Sequence, residues 1–374
     1  MGERNKSIRL GMVGGGQGAF IGEVHRIAAR LDGRYHLVAG ALSSDRERAM
    51  ASGRDLGLAD DRIYTDFNVM AQVEATRADG IQAVAIVTPN HVHFAPAKAF
   101  LNAGIHVICD KPITATVKEA QALAAITPKN NAQFLLTHNY VGYPMVRLAR
   151  EMVSSGKIGK IRIVQVDYLQ DWLASDISSK QASWRTDPKR AGIGGAIGDI
   201  GTHAYNLMRF VTQLSPRHLS ANLTSFVPHR KLDDDAHIQF RFDNCARGQI
   251  WASQVACGHE NDLSIRVIGE TGSLKWAQTD CDTLWYSNLG NPTQKLRRGG
   301  PLPDFQAGKN PRVPAGHPEG YLEAFATLYS DFADVLHGAG QNARLPSLAD
   351  GLEGVHFIAT SVESSQASGA WLEF

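Results

Sequence analysis

The segment Ile8-Arg9-Leu10-Gly11-Met12-Val13-Gly14-Gly15-Gly16-Gln17-Gly18-Ala19-Phe20-Ile21-Gly22 passes from a short apolar strand, Ile8 to Val13, straight into a glycine cluster. Within it Gly14, Gly16 and Ala19 spell G-x-G-x-x-A. Glycine suits the first position because the turn is tight. It suits the second because a side chain there would block a pyrophosphate resting on backbone N–H groups at the start of the next helix, expected over Glu23 to Leu31. Many strand-to-helix turns use glycine and bind nothing, so the letters alone are weak. Their place after the first strand of a βαβ pattern favours a dinucleotide site, with Gly14, Gly16, Gln17, Gly18, Ala19 and Phe20 as its contacts.

Working outward, short β-like runs at Leu37 to Leu42, Arg62 to Tyr64, Ala83 to Val87, Ile105 to Cys109 and Gln133 to Thr137 alternate with helical stretches. Those helices are expected over Arg46 to Leu56, Asn68 to Ala78, Ala95 to Ala103 and Lys118 to Ala125. This alternation predicts a doubly wound parallel sheet over residues 1–138. From about Asn139 the pattern changes. After a helix over Met145 to Ser154, the runs Ile161 to Tyr168, His218 to Phe226, Ala236 to Phe242, Ala246 to Val255, Leu263 to Ile268 and Ser273 to Trp276 follow with few helices between them. Residues 139–374 therefore read as an α+β domain with a large open, mostly antiparallel sheet. Gly290 to Gly316 is rich in Gly and Pro and reads as irregular, while Gly320 to Leu336 and Leu348 to Ser364 read as helices.

An acid that binds the adenosine ribose commonly ends the second strand of such a domain, yet here Leu42 is followed by Ser43, Ser44 and Asp45, with Arg46 and Arg48 just beyond. The serines can donate to a ribose hydroxyl or to a phosphate, and an arginine tolerates the extra charge of NADP, so NAD is expected with NADP left open. Asp45 reads equally well as the cap of the following helix. Thr88-Pro89-Asn90-His91-Val92-His93 follows the strand ending at Val87, and Asp110-Lys111-Pro112 follows the one ending at Cys109. In a parallel sheet such ends share one edge, which makes Thr88, Asn90, His93 and Lys111 further candidate cofactor contacts.

In the second domain Gly198-Asp199-Ile200-Gly201-Thr202-His203 precedes an apolar helix face of Leu207, Phe210, Val211 and Leu214. Asp199 and His203, four apart, can share a surface; alternatively Asp199 caps the helix and His203 packs within it. Tyr140, Tyr168, Trp172, Trp184, Arg185 and His317 are candidate substrate contacts, together with Lys111, Asp199 and His203, because aromatic rings with polar tips suit the C–H face and hydroxyls of a sugar.

Composition narrows the classes. With 38 Lys plus Arg against 37 Asp plus Glu, no long-range field selects nucleic acid or an anionic membrane. No apolar run approaches the ~18 residues that span a bilayer, and Met1 to Arg9 lacks the apolar stretch of a secretory signal, so a cytoplasmic protein is expected. The four cysteines show no C-x-x-C spacing and the fourteen histidines no H-E-x-x-H pair, so neither a disulfide framework nor a metal is expected.

Taken together, the glycine loop, Thr88-Pro89-Asn90 with His93, the Lys111-Pro112 step and Gly198-Asp199 with His203 resemble the family of glucose-fructose oxidoreductase, inositol dehydrogenases and rhizopine-catabolism (Gfo/Idh/MocA) oxidoreductases. The lengthened glycine loop before His25 and the absent ribose acid depart from its pattern. The resemblance implies a Rossmann domain followed by an α+β domain whose open sheet packs against another subunit, giving a homodimer or homotetramer. It also implies Lys111, Asp199 and His203 as catalytic residues. The expected activity is NAD(P)-dependent oxidation of a secondary hydroxyl of a cyclic polyol or sugar, inositol-like or pyranose. His203 would serve as base, Asp199 would orient it, and Lys111 would bond the developing alkoxide; the resemblance by itself does not decide between Lys111 and His203 as the base. Alternatives are an NAD-dependent glycosidase of the same fold and a non-catalytic dinucleotide-binding regulator.

Overall fold

The computed structural model of the chain describes residues 7–177, 179–301, 305, 311–339 and 345–374. They form two compact units, Met1–Asn139 with Phe325–Glu353, and Tyr140–Ala324 with Gly354–Phe374.

In the first unit β1 (Ile8–Gly14), α1 (Phe20–Leu31), β2 (Tyr35–Ala41), α2 (Arg46–Asp55), α3 (Phe67–Thr76), β3 (Ala83–Val87), α4 (Phe94–Ala103), β4 (His106–Cys109), α5 (Val117–Ala124) and β5 (Phe134–Leu136) follow one another. The strands make a parallel sheet in the order β2-β1-β3-β4-β5, as the alternating pattern predicts. β3, Ala-Val-Ala-Ile-Val, is buried along its whole length because a central parallel strand is covered on both faces. Helix starts carry their own acceptors. Asp45 accepts from Arg48 N at 2.8 Å, Asp66 from Asn68 N at 2.7 Å, and Thr116 Oγ1 from Glu119 N at 3.2 Å, while the same hydroxyl donates to Glu119 Oε2 at 3.0 Å.

One expected strand shrinks. Arg62 to Tyr64 contributes a single parallel bridge between Gly40 and Ile63, after a 3-10 turn over Asp60–Arg62. Its polar residues are committed elsewhere, since the buried Arg62 guanidinium pairs with Glu74, to which the Tyr64 hydroxyl also donates at 2.8 Å. Chain from the far end also joins this unit, although a single boundary after residue 138 would assign it to the second domain. The Tyr35 hydroxyl donates to the Tyr329 carbonyl at 2.9 Å, Arg34 pairs with Asp334 at 2.6 Å, and Leu136 N donates to the Pro346 carbonyl at 3.0 Å.

The second unit contains α6 (Pro144–Ser154), β6 (Ile161–Leu169), the short helices α7 (Lys180–Arg185) and α8 (Pro188–Ala191), α9 (Thr202–Thr212), β7 (Pro216–Thr224), β8 (Asp235–Phe242), β9 (Arg247–Ser253), β10 (Asp262–Gly269), β11 (Gly272–Ala277), β12 (Thr283–Asn288) and β13 (Gln294–Arg297). α10 (Tyr321–Leu336) and α11 (Leu348–Gln366) run through both units, and β14 (Leu372–Glu373) closes the chain. The sheet order is β13-β12-β11-β10-β6-β9-β8-β7-β14, antiparallel except for β6 beside β9. β12 is an addition to the strands read from sequence. So is β13, which lies inside the Gly290 to Gly316 stretch and pairs with β12 as an edge strand. On β8 buried Ala236, Ile238, Phe240 and Phe242 alternate with exposed His237, Gln239 and Arg241. The inward residues pack with α6 and α9 in one apolar core, each large aliphatic side chain contributing roughly 1.5–3 kcal/mol by leaving water.

Just beyond β5, buried His138 is kept neutral: burial, opposed by Asp350 and Asp110, pushes its pKa from 6.5 down to about 4. The unfolded chain therefore binds this proton first, and the associated stability is full above pH 6.5 and lost as pH falls toward 4. Urea unfolding should show this as a decline of about 3 kcal/mol over that window, which His138→Gln flattens. Equal pH dependence in both proteins would contradict the assignment.

Candidate functional site

In the first unit the glycine loop is built by close approach. Gly14 has φ +78°, and a Cβ there would stand 2.8 Å from Thr88 Cγ2; at Gly16 one would stand 2.8 Å from the Leu42 carbonyl oxygen. A Cβ on Gly22 would lie 2.4 Å from Gly15 Cα, so the close loop-to-helix contact rests on Gly22 rather than on Ala19, the third position of the fingerprint. Ala19 is the residue before α1, and no side chain caps that helix. Its first N–H groups thus suit the pyrophosphate of a dinucleotide, in space kept clear by glycine. Gln17 braces the loop: its N–H donates to Ser52 Oγ at 3.1 Å and its side-chain amide to Asp55 at 2.7 Å. Phe20 is exposed at the helix start. Beyond β2, Ser43 Oγ accepts from Asp45 N at 3.1 Å, Ser44 is exposed, and Asp45 takes the capping role.

The turns after β3 and β4 are tied together. Thr88 lies at the end of β3, and its buried Oγ1 has no hydrogen-bond partner among the described residues, which suits a ligand donor or acceptor at that sheet edge. Asn90 is buried in the following 3-10 turn. His93 is fully buried, with Nδ1 2.7 Å from the Pro112 carbonyl oxygen and Nε2 2.7 Å from the Thr88 carbonyl oxygen, and a neutral ring donates to one of the two. It braces the turn after β3 against the turn after β4. Lys111, joined to Pro112 by a cis peptide bond, is half-buried beside Asp110. Burial works against the Asp110 charge, but His25, Lys111 and His93 prevail and hold its carboxyl below the usual range. His25 Nε2 lies 3.9 Å from Asp110, and Nδ1 bonds the Tyr329 hydroxyl at 2.9 Å.

In the second unit the structure joins seven of the eight residues singled out there. The His203 ring packs edge-on against Tyr140 at 4.9 Å, and the Tyr140 and Tyr168 hydroxyls bond each other. Tyr168 donates to Asn261 Oδ1 at 2.9 Å, which also accepts from Gln170 at 2.6 Å. Trp172 Nε1 donates to Gln170 Oε1 at 2.9 Å. The Arg185 guanidinium lies over Trp184 at 4.2 Å and near Trp172 at 5.7 Å, and its Nε donates to Asp199 Oδ2 at 3.1 Å. Gln254 donates to the same Asp199 oxygen at 2.9 Å. Asp199 is therefore an acceptor for two side chains rather than a cap: it lies inside a π-helical turn, Ile197–Gly201, that continues directly into α9. His317 is the exception; its ring is exposed and Nδ1 faces the Pro314 carbonyl at 3.3 Å. Gln170, Gln254 and Asn261 were not singled out from sequence. A lone amide in a strand or loop carries no spacing signal, and only the register of β6, β9 and β10 brings these three to one cluster.

Among the described residues no group of three His, Cys, Asp or Glu side chains is placed to hold a metal ion, and no helix is long and apolar enough to cross a membrane.

Residues 8–138 match the family model described as oxidoreductase family, NAD-binding Rossmann fold, and residues 146–275 match the GFO/IDH/MocA C-terminal domain. The crystal structure of an oxidoreductase from Sinorhizobium meliloti is 50% identical, with a TM-score of 0.89, over 98% of this chain and 100% of that one. An inositol dehydrogenase homologue from Azotobacter vinelandii, solved with NADH and myo-inositol, is 35% identical, with a TM-score of 0.90, over 99% of this chain and 98% of that one. Levoglucosan dehydrogenase from Pseudarthrobacter phenanthrenivorans is 29% identical over 98% of each chain. The first unit is an NAD-binding Rossmann domain, and its uncapped helix and glycine-cleared loop fit that group.

Since a Cβ at Gly22 has only backbone to collide with, Gly22→Ala should displace Gly15 and weaken NADH binding by about tenfold or more. A fluorescence titration with NADH checks this, and native affinity in the variant would remove the loop from the site.

Proposed function

Because this chain belongs to the GFO/IDH/MocA oxidoreductase family, we propose that it oxidises a secondary hydroxyl of a cyclic polyol or sugar, inositol-like or pyranose, with NAD as acceptor. The observation that carries this reading is the second unit's polar network, in which Asp199 is held by Arg185 and Gln254 among tryptophan, tyrosine and amide side chains. Such a mixture suits a ring with one C–H face and many hydroxyls. The myo-inositol bound in the inositol dehydrogenase homologue and the levoglucosan of levoglucosan dehydrogenase belong to the same chemical class.

NAD, when bound at the glycine loop and the start of α1, would supply an electrophilic nicotinamide carbon as hydride acceptor. The residues of this chain manage the proton. His203 accepts the hydroxyl proton as the carbonyl forms, since an imidazole can take and return a proton near neutral pH. Asp199, held as an acceptor by Arg185 and Gln254, orients the imidazole. Lys111 donates a hydrogen bond to the developing alkoxide.

The open sheet supports self-association in a homodimer or homotetramer. Its outward rows mix apolar and polar residues across neighbouring strands, Ile268 beside Ile163 and Arg247, then Trp251 beside His237. Ile163 and Ile268 are 47% and 40% exposed, which is unusual for paired isoleucines in mid-sheet unless a second surface covers them.

An absorbance screen of cyclitols and aldoses with NAD and NADP should find at least one that yields reduced cofactor. His203→Ala and Lys111→Ala should each lower its turnover by ~100-fold or more while leaving dinucleotide affinity within a few-fold. Dinucleotide binding without reduction by any polyol would point instead to a regulator, and glycoside cleavage without net NADH to a glycosidase. Sedimentation should give a dimer or tetramer, and a monomer at micromolar concentration would dismiss the sheet interface.

A further inference from the structure

The helical segment carrying Asp199 and His203 begins in Gly192-Ile193-Gly194-Gly195-Ala196-Ile197, which contains no Ser, Thr, Asp or Asn to cap it. Its opening N–H groups have no partners within the helix and must find acceptors elsewhere. One residue 38 positions away in sequence receives three of them in a row. Gly195 N donates to Asp233 Oδ1 at 2.6 Å, Ala196 N to the Asp233 carbonyl at 2.9 Å, and Ile197 N to Asp233 Oδ2 at 2.8 Å. The fit is tight, since a Cβ on Gly195 would lie 2.0 Å from the Asp233 carbonyl oxygen.

The neighbouring peptide serves the same end. Gln254 N donates to the Asp234 carbonyl at 2.8 Å, and the Gln254 side chain donates to Asp199 Oδ2 at 2.9 Å. Asp233 and Asp234 thus fix both partners of the Gln254 to Asp199 bond, the first through the turn that bears Asp199 and the second through the backbone of Gln254. The Asp234 carboxylate is occupied separately, accepting from Phe226 N and Val227 N at 2.8 and 3.0 Å. A negative group at a helix start is also favoured by the helix dipole.

Building on the reading of Asp199 and His203 as proton-handling groups, we propose that Asp233 is a positioning residue, whose carboxylate and carbonyl clamp the first turn of that helix and hold Asp199 against the Gln254 amide. It touches neither substrate nor cofactor in this role. Its effect falls on the rate of the chemical step, since a displacement of about 1 Å in a catalytic group costs on the order of 100-fold.

Asp233→Asn keeps the shape but replaces one acceptor oxygen with an N–H donor facing a backbone N–H. With myo-inositol or another polyol that yields NADH, the variant should lose ~10–100-fold in kcat with a smaller change in KM, and NADH affinity should stay within about twofold. Combined with His203→Ala it should cost little beyond His203→Ala alone, because the clamp holds Asp199, whose proposed role is exerted through the imidazole that the second substitution removes. Native kcat in Asp233→Asn, or full additivity in the double variant, would overturn the proposal. Native turnover in His203→Ala would instead defeat the proton-handling reading and leave the junction itself to be judged by hydrogen exchange. That measurement needs neither substrate nor variant: in the native chain the amides of Gly195 to Ile197 should exchange as slowly as those of α9, and exchange as fast as exposed loop amides would refute the clamp even if Asp233→Asn does not fold.

Discussion

Every helix begins with backbone N–H groups that its own carbonyls cannot reach, and this protein answers that constraint in two opposite ways. Ahead of α1 the residues are glycine and alanine, no side chain caps the helix, and the donors suit an anionic cofactor. Ahead of the π-helical turn that leads into α9 the residues are glycine, isoleucine and alanine, but Asp233, in the loop before β8, supplies the acceptors. A similar local composition thus produces a binding loop in one unit and a rigid junction in the other. α2, α3 and α5 close themselves in the ordinary manner, through Asp45, Asp66 and Thr116.

Burial of polar groups explains much of the remaining arrangement. A polar side chain removed from water needs a partner, and each one that finds a partner in another element pins the two together. His93 joins the turns after β3 and β4, Arg62 joins its 3-10 turn to α3, and the Arg298 guanidinium joins Asp282 and Glu319. These contacts set directions rather than supplying the bulk of stability, which comes from the apolar faces of the two sheets.

Much of the architecture was legible because apolar periodicity reports burial directly. The all-apolar β3, the alternating β8 and the glycine after α4 each name their own conformation. Misreadings fell where local pattern and long-range pairing part company. The stretch around Arg62 has strand-like residues but spends its polar groups on Glu74, and β13 hides in a Gly- and Pro-rich stretch because an edge strand needs little more than one neighbour. Asp45 shows the opposite case, where the simpler role of helix cap is the one the chain adopts.

For the site, residue type and spacing raised Lys111, Asp199, His203 and the aromatic residues as candidates, and it was the family resemblance that marked the first three as catalytic. Order along the chain likewise determined the parallel sheet and the glycine turn, because both depend on interactions within a few tens of residues. The tertiary structure alone decided the rest. Only when β6, β9 and β10 lie in register do Gln170, Gln254 and Asn261 join one network with Tyr168 and Asp199, and only when Asp233 reaches Gly195 does the helix acquire its cap. A hydrogen bond is selective over about 3 Å, and no local pattern can say which distant residue will arrive at that range.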